Sequence, residues 1–225
     1  MKTITFFYDV ISPYAHLAFE AWPQAMAGVG HRVRHVPVLF AGVLAHHGQL
    51  GPAEIAPKRD WTYRQVAWLA HRAGVRLDMP VHHPFNPLAL LRLAAACALP
   101  PAAQGGTNRF VTEALFHHVW RGGGDPNDPV RLAGLQQRLA EHMAECGHPM
   151  SVPDSPEVKQ RLRANTEAAI AAGVFGVPTF EVDGRLFWGQ DALPMLRAYL
   201  EGDAWFSSGA WEAAAQVGAG VARAR

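Results

Sequence analysis

Strand-forming sequence is confined to the two ends of this chain, and the roughly one hundred residues between them carry almost none. That separation limits the fold more than any other feature. Residues 3–9 are rich in Phe and Tyr and alternate poorly, as a central strand buried on both faces does. Leu17, Phe19, Trp22 and Met26 follow at helical spacings, Gly28-Val29-Gly30 closes that helix, and residues 31–40 return to a β pattern. Such a β-α-β unit makes its two strands parallel. Near the other end, Ser155-Pro156-Glu157 opens a helix with serine as cap and proline at the first helical position. Two short β-patterned runs, 179–182 and 185–188, then flank Asp183-Gly184, the dipeptide of a type I′ hairpin, and residues 190–200 read as a closing helix. A lone hairpin is marginal in water. The four strands are therefore expected to join in one mixed sheet, an α/β fold with a helical block inserted between its halves.

Within the block, residues 41–60 are punctuated by Gly and Pro and suggest a short helix plus loop. Helices are expected over 61–72, 88–99 and 106–119, with one or two over 128–146. Pro80, Pro84 and Pro87 make 75–87 an ordered loop. The resulting division is a discontinuous sheet domain, 1–42 and 155–205, an inserted helical domain, 43–154, and a tail, 206–225, expected to fray beyond Gly209.

Composition narrows the function. The 225 residues are 49% hydrophobic and 17% charged, enough for a substantial core. Twenty Lys and Arg oppose nineteen Asp and Glu, so the net charge of +1 gives no field to attract nucleic acid or an anionic membrane. No apolar run approaches the roughly 20 residues of a spanning helix, and the first residues lack a secretory pattern. A soluble, cytoplasmic protein is expected. Cys97 and Cys146 form no CxxC, and the paired histidines at 46/47, 82/83 and 117/118 lack a ligand spacing, so no metal site is expected.

The chemistry points to Ser12. A side chain between a strand and a helix that begins at Pro13 sits beside free backbone N–H groups, where the helix dipole favours an anion. Taken alone, Ser12 is equally a helix N-cap, and the two roles are compatible. The residues themselves do not say which anion.

The arrangement β-α-β then α-β-β-α is that of thioredoxin, Val177-Pro178-Thr179 resembles that fold's cis-proline loop, and the inserted helices resemble its DsbA-like branch. Redox members carry CxxC where this chain reads Ser12-Pro13-Tyr14-Ala15, so disulfide exchange by this turn is chemically impossible. FYDVISPYAHLAF, GVFGVPTF and FWGQDAL together resemble the kappa-class glutathione transferases and, more closely, the 2-hydroxychromene-2-carboxylate isomerases. The resemblance reaches to about Leu200.

It implies glutathione as cofactor, a small aromatic acid as substrate and a homodimer. The implied reaction is glutathione-dependent cis-trans isomerisation between 2-hydroxychromene-2-carboxylate and trans-o-hydroxybenzylidenepyruvate, or of a related aromatic acid. The alternatives are a kappa-like transferase or peroxidase, and a non-catalytic binding module on the same fold. Ser12 corresponds to the family's active-site serine, a donor that stabilises the thiolate of glutathione and lowers a thiol pKa of about 8.5. Val177 and Pro178 would pair strand-like with the cysteinyl unit, and Gly189, Gln190 and Asp191 would hold the γ-glutamyl end. Lys58 would pair with a carboxylate of glutathione or of the substrate. Gln49 stands where relatives have Asn, and its extra methylene shifts the amide by about 1.5 Å. Tyr14 and Trp61 are candidate substrate walls, as are Phe85 and Trp188. Asn86 either caps the following helix or faces the cleft. His16 is the nearest histidine to Ser12, but the sequence identifies no proton-transfer residue.

Overall fold

Lys2–Tyr8 forms β1, the strand on which the molecule is built, with His31–Pro37 (β2) parallel to it on one side. Thr179–Val182 (β3) pairs antiparallel on its other side, and Arg185–Trp188 (β4) completes the sheet in the order β2-β1-β3-β4. The computed structural model describes residues 1–100, 105–218 and 220, so positions 219 and 221–225 of the tail lie outside it. Asp183 and Gly184 both have positive φ, 53° and 76°, as the type I′ turn between β3 and β4 requires.

Nine α-helices surround this sheet among the described residues: α1 (Pro13–Ala25), α2 (Phe40–His47), α3 (Ala56–Ala73), α4 (Leu88–Ala96), α5 (Arg109–Trp120), α6 (Pro129–Glu145), α7 (Pro156–Ala171), α8 (Leu193–Glu201) and α9 (Ala210–Ala214). Ser12, Asn108, Asp128 and Ser155 cap α1, α5, α6 and α7, each side chain accepting from a first-turn amide. The region 128–146 is thus one helix.

Alternation along β1 splits the interior in two. Ile4, Phe6 and Tyr8 face a cluster with Phe19 of α1, Leu90 and Leu91 of α4, and Leu115, Phe116 and Trp120 of α5. Phe7 faces the opposite way, with Val36, Val38, Ala169, Val174 and Val177. The inserted helices therefore share one core with the sheet, and each such buried side chain contributes about 1.5–3 kcal/mol. Leu17 of α1 packs outward on Val66 and Ala70 of α3. With the sheet on one side and α3 on another, α1 has no wide polar face.

Four local expectations are corrected. The second strand ends at Pro37, not 40, because the amides of Leu39 and Phe40 leave the ladder for Thr166 Oγ1 and Asp9 Oδ2. The helix expected over 61–72 begins at Ala56, since Pro57 suits a first turn whose exposed residues give no apolar period. The closing helix begins at Leu193, after a 3₁₀ turn over Gln190–Ala192. The ring of Pro194 would meet the carbonyl of Gln190 in an α-helix continued backward. The region expected to fray beyond Gly209 includes α9, where Trp211 lies 5.6 Å from the rings of Phe187 and Phe206 and Glu212 pairs with Arg185 at 3.0 Å.

Candidate active site

Between the end of β1 and the start of α1 lies the turn Asp9-Val10-Ile11-Ser12. Ser12 has extended backbone (φ −87°, ψ 114°) and is 7% exposed. Its Oγ accepts from Ala15 N at 3.2 Å and donates to the carbonyl of Val177 at 3.3 Å. The second distance is long for an O–H···O bond, so the hydroxyl gives up little by turning to another acceptor. Pro13 fits the first helical position, where its missing N–H costs nothing.

Every carbonyl of the turn has a donor. Asp9 O accepts from Ser12 N at 3.1 Å, Val10 O from Trp120 Nε1 at 2.9 Å and Ile11 O from His83 Nε2 at 2.8 Å. The Asp9 carboxylate, fully buried, accepts from Ile11 N at 3.0 Å through Oδ1 and from Phe40 N at 2.9 Å through Oδ2. Burial pushes its pKa up to about 7 against the opposing effect of those two amides. Asp9, His83 and Trp120 escaped the sequence reading. Asp9 had a local signal, an acid closing an aromatic strand; His83 and Trp120 lie 72 and 110 residues from the atoms they hold and had none.

The Val177–Pro178 peptide is cis, and Pro178 O accepts from Gly189 N at 2.9 Å. Gly189 has φ 97°, and a Cβ there would collide with Asp191 Oδ1. Only glycine lets the chain turn this tightly into Gln190 and Asp191. Ser12, Val177, Pro178, Gly189, Gln190 and Asp191 thus form one continuous edge. Tyr14 belongs to it: its hydroxyl donates to Gln65 of α3 at 2.7 Å, and its pKa is raised first by burial and then by the nearby Asp191 charge.

The remaining candidates stand apart. Gln49, Lys58, Trp61 and Asn86 are exposed, and none makes a hydrogen bond or ion pair to the Ser12–Val177 pair among the described residues. Lys58 and Trp61 lie in the first turns of α3, and Gln49 follows the left-handed Gly48 that ends α2. Asn86 Oδ1 accepts from Leu88 N at 3.0 Å, an Asx turn just ahead of Pro87, the N-cap position of α4. Phe85 packs against the main core, whereas Trp188 is half exposed and lies 4.9 Å from Phe175, beside the Val177-Pro178 loop. His16 is sealed among Phe116, His117 and Trp120; neither ring nitrogen has a hydrogen-bond partner, and burial lowers its pKa to about 4. So enclosed, it is not placed to exchange protons with a ligand at Ser12.

Residues 3–201 match the DsbA-like thioredoxin domain model. The chain belongs to that family. Two named activities recur among its relatives. A 2-hydroxychromene-2-carboxylate isomerase of Sphingobium xenophagum is 30% identical over 204 residues, covering 88% of this chain and 98% of the relative. The kappa 1 glutathione S-transferase of Rattus norvegicus is 25% identical over 213 residues, covering 91% and 92%. Among solved structures, a 2-hydroxychromene-2-carboxylate isomerase superposes with a TM-score of 0.73 at 22% identity over 92% of this chain and 98% of its own, a likeness of fold. The turn after β1 reads Ser12-Pro13-Tyr14-Ala15 and holds no cysteine.

Proposed function

We propose that the protein is a glutathione-dependent isomerase acting on an aromatic 2-oxo acid of the hydroxychromene-carboxylate type. The observation that carries this reading is the Ser12 hydroxyl, fixed at the N-terminus of α1 by the Ala15 amide and donating through a long bond to Val177 O. The surrounding donors fit a small peptidic thiol. Val177 and cis-Pro178 supply a strand-like backbone edge, and the Gly189 turn, too tight for a Cβ, leads to the Asp191 carboxylate for an α-ammonium. Glutathione held here would supply a thiolate nucleophile for reversible addition to a conjugated C=C, chemistry that needs no net redox change.

The chain's own residues have three tasks. Ser12 donates its hydroxyl proton in a hydrogen bond to the sulfur, and the dipole of α1 acts in the same sense, so the ionised thiol is favoured. Asp9, His83 and Trp120 keep the turn that carries Ser12 in place. Tyr14 offers a half-buried ring beside the site, and Lys58 and Trp61, exposed in the first turns of α3 and apart from the Ser12 edge, are assigned to the far end of an acidic aromatic substrate as a cation and an aromatic face. The relatives in both activity groups support the thiol, and the isomerase, at the higher identity, supports the reaction.

The deciding experiment follows a hydroxychromene-carboxylate substrate spectroscopically while counting glutathione. Turnover with catalytic glutathione, none consumed, is expected. One glutathione consumed per product would make the protein a kappa-like transferase instead, no turnover despite glutathione binding would make it a binding module, and turnover unchanged in Ser12→Ala would remove Ser12 from the chemistry.

A further inference from the structure

The turn bearing Ser12 is held from outside the sheet by side chains that have no part in binding. His83 stands in the proline-rich loop before α4, yet its Nε2 lies 2.8 Å from Ile11 O, the carbonyl of the peptide that ends at the Ser12 amide. A carbonyl can only accept, so Nε2 carries the proton. In the neutral ring Nδ1 is then an acceptor. Tyr63 Oη is 2.8 Å from that Nδ1 and also 2.8 Å from the backbone carbonyl of His83. The one Tyr63 proton therefore lies between two acceptors of the same residue, the His83 carbonyl oxygen and Nδ1, and this pair of contacts holds the ring with Nε2 toward Ile11 O. Trp120 completes the clamp: its Nε1 binds Val10 O, one peptide earlier, and its ring lies 5.5 Å from that of His83. Three elements of the inserted block, α3, the proline-rich loop and α5, thus converge on two consecutive peptides.

We propose that His83, oriented by Tyr63, is a positioning residue for Ser12: it sets the Ile11–Ser12 peptide and so the direction of the Ser12 hydroxyl toward an incoming thiolate. The idea rests on the glutathione reading for its functional consequence but not for its structural one. Without the Nε2 donor, Ile11 O loses its partner and the peptide is held on one side only, through Ser12 N on Asp9 O, while the Ser12 side chain and both core clusters remain. The thiolate would then meet a misaimed donor.

Two measurements on the full chain test this, each on wild type, Ser12→Ala, His83→Ala, His83→Gln and Tyr63→Phe. The first is amide hydrogen exchange of Ile11 and Ser12 without ligand. Exchange about tenfold faster is expected in His83→Ala, with near wild-type rates in His83→Gln, whose amide nitrogen can stand where Nε2 stood. The second is the pKa of glutathione bound to each protein, read from the ultraviolet absorbance of the thiolate. His83→Ala is expected to raise it by about one unit, a tenfold loss of thiolate below that pKa, with an intermediate rise in Tyr63→Phe and recovery in His83→Gln. Unchanged exchange in His83→Ala would overturn the proposal, as would a bound-thiol pKa raised by Ser12→Ala but not by His83→Ala. If Ser12→Ala leaves that pKa unmoved while His83→Ala still speeds exchange, the glutathione reading fails and the clamp stands as a structural device only. Unless His83→Gln recovers both readouts, the effect of His83→Ala is general destabilisation and positioning is rejected.

Discussion

The hydroxyl of Ser12 lies 3.3 Å from the carbonyl oxygen of Val177, a residue 165 positions away in the chain. This contact joins the N-terminus of α1 to the cis-proline loop. Ser12 thus serves at once as helix cap, through Ala15 N, and as a loosely held donor at the site.

The double role gives Ser12→Ala two separable effects. Loss of the cap should lower stability by about 1 kcal/mol, read by denaturant unfolding. Loss of the donor should cut isomerase turnover by about 10²-fold, as removal of one aimed donor does elsewhere. Ser12→Thr should recover the stability.

Replacing Gly189 by Ala should cost about 1–3 kcal/mol, because φ 97° is strained for any residue with a Cβ and this Cβ would meet Asp191. Displacing Asp191 should also weaken glutathione binding, measurable by calorimetry. A Gly184→Ala control, positive in φ but with nothing near its Cβ and remote in sequence from Asp191, should cost stability without touching affinity.

Acid should destabilise the fold through its buried histidines. His16 and His35 have folded pKa values lowered to about 4 and about 3 by burial, from an unfolded value near 6.5, so each contributes stability above pH 6.5 that is lost as pH falls toward its folded pKa. Asp9 works the other way: its folded pKa of about 7 lies above its unfolded value, so its contribution falls as pH rises from about 4 to 7. Two protons taken up preferentially by the unfolded chain outweigh one held by the native state. Stability should therefore rise from pH 4 to 6.5 by about 1.4 kcal/mol per unit, and His83 and His118, also lowered by burial, act in the same sense. His16→Leu, which removes two buried nitrogens that make no hydrogen bond, should raise stability and flatten that slope, as equilibrium unfolding across this range would show.

Asp9→Asn should destabilise by about 1–3 kcal/mol at pH 8. Two backbone amides point at the carboxylate, and an Asn side chain offers one oxygen and one N–H₂, leaving an amide facing a donor. A gain in stability at that pH would show that burial of the charge outweighs both hydrogen bonds.

Trp211→Ala should cost about 1–3 kcal/mol, because the indole closes an aromatic cluster with Phe187 and Phe206. Amide exchange in α9 should rise in the same variant.

What the sequence determined by itself was local or periodic. The type I′ hairpin at Asp183-Gly184, the caps at Ser12 and Ser155, the strand-poor middle and the absence of CxxC all follow from residues within a few positions of one another. Together they were enough for one mixed sheet with inserted helices. The tertiary structure decided what depends on distant pairs. It tied Asp9 to Phe40 and Ile11 to His83. It turned the Asn86 side chain onto the Leu88 amide and enclosed His16 among aromatic rings. It also tied down the tail through Trp211, although the tail's composition gave no sign of an anchor. At the edge around Ser12 the capped helix was legible from its own residues, and the Val-Pro loop and the Gly-Gln-Asp turn through their resemblance to a family's motifs. The clamp on the Ser12 turn was not. A hydrogen bond to a backbone carbonyl places no demand on the identity of the accepting residue, so nothing at Val10 or Ile11 could mark the need for a histidine or a tryptophan far along the chain.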